Sequence, residues 1–140
     1  MECVSCNECS PPSSPRALGR VGEEMAAAHL TRLGFAVIAR NVRTRRGEID
    51  LIAHDGNALV FVEVKTRRGS SHGGYLDPAT TPLAGLRSSQ RSRLRRLAVA
   101  WLSEDRPDRP TARTIRFDAI GVTLDRRDRL VRLDHVEAAW

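Results

Sequence analysis

Between residues 19 and 33, Val21, Met25, Ala28 (with Ala27) and Leu33 recur at spacings that fit one apolar face of a helix, and Gly34 is its natural stop. Residues 35–39 then form a short, strand-favouring apolar run, followed by the basic stretch 40–47. Two further apolar runs, 49–53 and 59–64, flank Asp55-Gly56-Asn57, a strong hairpin signal, and are predicted to pair antiparallel. Residues 66–83, with Gly69, Gly73, Gly74, Pro78 and Pro82, read as a long loop. A second helix is predicted to end near Leu102. It begins either near Thr81-Pro82 or near Ser88, with Leu94, Leu97, Ala98 and Trp101 inward and Arg87, Arg91, Arg93, Arg95 and Arg96 outward. Residues 114–124 and 130–136 alternate as strands around the turn 125–128. The predicted order is helix, three strands, helix, two strands.

The length of 140 residues suits one domain, here 19–140, behind a tail of residues 1–18 expected to be disordered. That tail holds all three cysteines, as Cys3-x-x-Cys6-x-x-Cys9. A structural zinc site wants four ligands, so the set is incomplete as written. No apolar stretch approaches the roughly 20 residues that span a bilayer, and no basic-then-apolar leader opens the chain. A cytoplasmic location, with no membrane role, is therefore expected. Net charge +6 favours an anionic partner such as nucleic acid over a plain solvated surface. Among the bases there is one lysine, Lys65, against 22 arginines. Arginine is permanently protonated and forked, whereas lysine is a compact charge whose pKa can be tuned.

Lys65 closes the run Val60-Phe61-Val62-Glu63-Val64-Lys65. Side chains alternate across a strand, so Glu63 and Lys65 share one face. Glu48, Asp50 and Ile52 alternate likewise, and hairpin pairing can bring Asp50 beside Glu63 if the register joins those faces. Two such carboxylates repel unless protonated or bridged by a cation, and oxygen-only ligation suits Mg²⁺. The alternative is an ordinary exposed Glu–Lys pair with Asp50 in a turn. The four histidines lack ligand spacing, and Asp118 is read chiefly as a structural partner of Arg116 or Arg43. Arginines of 40–46 (Arg43, Arg45 and Arg46 among them) and of the second helix, such as Arg91, are candidate phosphate contacts.

The run Gly22-Glu23-Glu24…Ala27, with Gly34, Asn41, Arg43, Gly47-Glu48-Ile49-Asp50-Leu51-Ile52-Ala53, Phe61-Val62-Glu63-Val64-Lys65-x-Arg67 and Arg116-Phe117-Asp118, resembles the YraN-like family of bacterial proteins. That family is similar to nucleases of restriction-endonuclease fold, especially archaeal Holliday-junction resolvases. The resemblance implies an α/β fold with a mixed central sheet flanked by helices. It implies a site in which Asp50 and Glu63 hold Mg²⁺ or Mn²⁺, with the Val64 carbonyl and Glu23 as further ligands and Lys65 as the catalytic lysine. Arg67 and Gln90 are implied beside the nucleic-acid path. The function implied is metal-dependent endonucleolytic cleavage of DNA, branched or structured DNA included, by a protein that can act as a homodimer. The alternative is a nucleic-acid-binding adaptor that keeps the fold without catalysis.

Overall fold

Helix α1 (Pro15–Arg32) starts where local chemistry stops the orphan amides of a first turn from being wasted: Ser14 Oγ accepts from Ala17 N at 3.2 Å and Pro15 occupies the first turn. This start is four residues earlier than apolar periodicity predicts, because capping residues carry no hydrophobic signal. The computed structural model describes residues 14–69, 83, 88–104 and 106–139. The cysteine-bearing residues 1–13, most of the predicted loop 66–83 and Arg87 lie outside them.

The buried stripe of α1 is Gly22, Ala26, Ala27 and Leu30. Val21 and Met25 lie at its margin, while Ala28 is exposed and Leu33 is 53% exposed, so the predicted apolar face is rotated. Small residues let the helix axis approach the sheet, and that close approach, which large side chains would prevent, selects the face. A Cβ at Gly22 would overlap the Thr66 side chain, lying 2.8 Å from its Cβ.

Strands β1 (Ala36–Thr44), β2 (Gly47–His54), β3 (Ala58–Arg68), β4 (Thr114–Leu124) and β5 (Leu130–Val136) form one sheet in sequence order. Only β3 and β4 are parallel, and the crossover that a parallel pair needs carries α2 (Ser88–Ser103). The element order is the predicted one. β1 extends through the basic stretch to Thr44, pairing Thr44 with Gly47 around the turn Arg45-Arg46. An edge strand tolerates exposed arginines, which is why the apolar pattern stops short of its end.

The two helices cover opposite faces. Val60, Val62, Val64, Leu51 and Ala53 pack beneath α1, whereas Leu59, Phe61, Ile49 and Ile52 pack with Leu94, Leu97, Ala98 and Trp101 of α2. Phe61 centres the second layer, edge-on to Trp101 and stacked with Phe117. No helix among the described residues is long and apolar enough to cross a membrane.

Candidate functional site

The β2–β3 ladder runs from His54↔Leu59 to Leu51↔Val62 and ends there. Yet β2 goes on pairing with β1 as far as Gly47, and β3 goes on pairing with β4 as far as Arg68. The sheet therefore forks just past Leu51 and Val62, and the next residues on each arm are Asp50 and Glu63. Asp50 fills the opening: its Oδ2 accepts from Val64 N at 2.8 Å, replacing the backbone partner that the fork removes.

Alternation fails locally at Asp50. Ile49 and Ile52, three residues apart, both lie on the α2 side, while Leu51 lies on the α1 side. Between the pairs Arg40↔Leu51 and Val42↔Ile49 stand Asn41 and Asp50, and Asn41 has φ 49°. Asparagine tolerates this left-handed backbone better than most residues. With its amide nitrogen turned to the acids, the orientation that matches donor to acceptors, Asn41 donates to Glu23 Oε2 (2.7 Å) and Glu48 Oε1 (2.8 Å).

Charge is concentrated at the fork. Glu63 lies on the α2 face with Phe61, and its Oε1 is 3.1 Å from Lys65 Nζ. Glu23 comes from α1, and its charge lies close enough to Asp50 to raise that carboxyl. Burial, then the neighbouring Glu63 and Glu23 charges, push the Asp50 carboxyl up to about 8 against the pull of Val64 N–H and Lys65. Burial and the Glu48 charge also raise Glu23, opposed by hydrogen bonds from Asn41 and Asp50 and by Arg20. The arrangement stores carboxylate repulsion that a cation would relieve.

The donor set is all oxygen, which suits Mg²⁺ or Mn²⁺ rather than a softer ion. Among the described residues, no three acidic, histidine or cysteine side chains are grouped to hold an ion unaided. The set fits an ion that takes two protein carboxylates and completes its shell with water and substrate oxygens, the usual habit of Mg²⁺.

The predicted residues Asp50, Glu63, Val64, Lys65 and Glu23 thus come together. The basic candidates surround the same end of the sheet. Arg43 pairs with Glu48 across β1 and β2, Arg45 and Arg46 form the adjoining turn, and Arg67 is exposed two residues beyond Lys65. Helix α2 passes Gly47 with Arg93 and Leu97 and reaches Phe61 with Trp101, so its first turn, carrying Gln90 and Arg91, starts at the fork end. Asn41 and Glu48 join the site without having been assigned to it. Only the motif in which they stand could have pointed to them, since periodicity says nothing of a left-handed residue inside a strand.

A separate network buttresses the far side. Asp118, fully buried on β4, takes Nε (2.9 Å) and a terminal nitrogen (3.0 Å) of Arg116, His135 Nε2 (2.8 Å) and Ala138 N (3.0 Å). His135 Nδ1 in turn meets His29 Nε2 of α1 at 3.1 Å. Arg116 is its partner, as one of the two sequence alternatives had it.

The uncharacterised protein family UPF0102 matches residues 22–122, a span that contains the whole fork. A UPF0102 protein of Acidothermus cellulolyticus is 42% identical over 135 residues, covering 91% of this chain and 96% of the relative. One from Streptomyces griseus is 49% identical over 113 residues (79% and 86%), and one from Symbiobacterium thermophilum 47% over 107 residues (76% and 82%). Carrying these matches and the YraN-like motifs that build its fork, the chain belongs to the UPF0102 family.

Proposed function

We propose that this protein is a metal-dependent DNA endonuclease of restriction-endonuclease-like fold whose site is Asp50, Glu63 and Lys65, acting on duplex or branched DNA. The observation that carries the reading is the fork itself: a break in the sheet that lodges Asp50 against Val64 N–H within reach of the Glu63 charge, with the chain's one lysine 3.1 Å from Glu63. A structural ion pair needs neither the fork nor a second half-buried carboxyl.

Asp50 and Glu63, aided by the Val64 carbonyl, would hold a divalent cation that polarises the scissile phosphate and acidifies a water. Lys65, 37% exposed, reaches out of the fork from the same face as Glu63. There it holds the attacking water and offsets charge developing on the phosphate. Val64 N–H and Glu63 fix Asp50 and Lys65 before substrate arrives, so little reorganisation remains. Arg45, Arg46, Arg67 and Arg91 at the fork end draw in and register the phosphate backbone. No aromatic side chain lies within these basic segments, which favours backbone recognition over base stacking.

The test is cleavage of duplex, flap, four-way-junction and single-stranded DNA with Mg²⁺ or Mn²⁺, comparing the wild type with Asp50→Ala and Lys65→Ala. Cleavage lost in both variants is the expected outcome. Cleavage that survives both would place the chemistry elsewhere. Salt-sensitive DNA binding without cleavage under any condition would make the protein a binding adaptor on a nuclease fold.

A further inference from the structure

β5 is a terminal strand of the sheet, with β4 on one side and no described strand on the other. Natural edges are normally blunted by charge, proline or a covering segment. Three large apolar residues of β5 are instead open to solvent: Leu130 (43%), Val131 (40%) and Val136 (45%). The opposite edge, β1, presents the exposed arginines 40 and 43.

We propose that β5 joins two copies of this chain, paired antiparallel about a two-fold axis through Leu133. The sequence Val131-Arg132-Leu133-Asp134-His135 is self-complementary about that point. The axis sets Arg132 of each copy opposite Asp134 of the other, Leu133 opposite Leu133, and Val131 opposite His135. Directly opposed residues of an antiparallel pair share a face, so a two-fold axis must pass through a residue. The neighbouring choices centre on Arg132 or on Asp134 and oppose like charges, which is destabilising. Charge therefore selects one register.

Two further observations fit this occupant. Arg132 Nε holds Asp134 Oδ1 at 2.9 Å within the strand, leaving Asp134 Oδ2 shielded and without a hydrogen-bond partner among the described residues. A guanidinium from a second strand supplies that donor, with Arg132 turning outward in exchange. Leu133 packs against the cluster beneath α1, so pairing carries that apolar layer across the axis. The β4–β5 register shifts between Arg132 and Leu130, leaving Val131 without a β4 partner, so the regular part of the ladder is the short stretch from Arg132 through Leu133 and Asp134 to Val136. Association is accordingly concentration-dependent rather than obligate.

The inference stands apart from the chemistry of the fork, and cleavage is not its readout. Sedimentation equilibrium of the full chain should show the mass rising from 15.5 kDa toward twice that value with concentration. Arg132→Asp and Asp134→Arg, each checked for an unchanged circular dichroism spectrum, should each weaken self-association by about tenfold or more, since both oppose like charges twice. An equimolar mixture of the two variants should recover a one-to-one dimer, because one strand then carries two acids and the other two arginines. A wild type that stays monomeric at every concentration, single variants that associate like wild type, or a mixture that fails to associate would each overturn the proposal.

Discussion

At Lys65 a single ammonium stands where 22 other basic positions carry guanidinium. Its 3.1 Å contact with Glu63 would survive replacement by arginine, but a compact donor able to hold a water would not. Lys65→Arg should therefore abolish Mg²⁺-dependent cleavage while leaving thermal stability and DNA binding nearly unchanged. A cleavage assay run beside a binding titration reads both. Asp50 behaves in the opposite sense toward stability. Asparagine keeps an oxygen for Val64 N–H and removes repulsion with Glu63 and Glu23. In chelator at pH 8, Asp50→Asn should gain about 1 kcal/mol in urea unfolding through relief of that repulsion. A loss of stability would mean that the carboxylate serves the fold.

Among the elements, α1 is positioned by what it lacks. Gly22 admits Thr66 where any side chain would collide, and this contact sets Glu23 beside Asp50. Gly22→Ala should cost about 1–3 kcal/mol through overpacking. Cleavage should fall with it, since the helix must lift Glu23 away. The β4–β5 pair depends on Asp118. Burial opposes its charge, but hydrogen bonds from His135, Arg116 and Ala138 outweigh burial and hold its carboxyl below the ordinary value. A depressed folded pKa gives stability that is complete above the unfolded value of about 3.9 and is lost as pH falls through the folded pKa. Urea midpoints should thus drop below about pH 4, and Asp118→Asn should flatten that part of the curve while lowering stability at pH 7. The strands and α2 were legible because hydrophobic period reports them directly. The face of α1 was not, because glycine and alanine carry little apolar signal and only contact with β3 shows which side is buried.

For the whole molecule, net charge +6 and the arginines gathered at the fork end would make the proposed binding to DNA an electrostatic event. Replacing Arg45 and Arg46 with alanine should lower the slope of log affinity against log salt by about 1 per lost phosphate contact, uniformly across sequences. In a dimer through β5, the two-fold axis runs perpendicular to the sheet, so the two forks share a face but open toward opposite ends of the strands. The sequence by itself determined the element order, the α2 core face, the hairpin at Asp55-Gly56-Asn57, and the candidates Asp50, Glu63 and Lys65, because periodicity, turn chemistry and residue type are local properties. Tertiary structure alone decided the fork that lodges Asp50 against Val64, the entry of Asn41 and Glu48, and the union of Asp118 with His135 and His29. Each of these joins residues on different elements, and such meetings depend on register and helix approach, which no local pattern encodes.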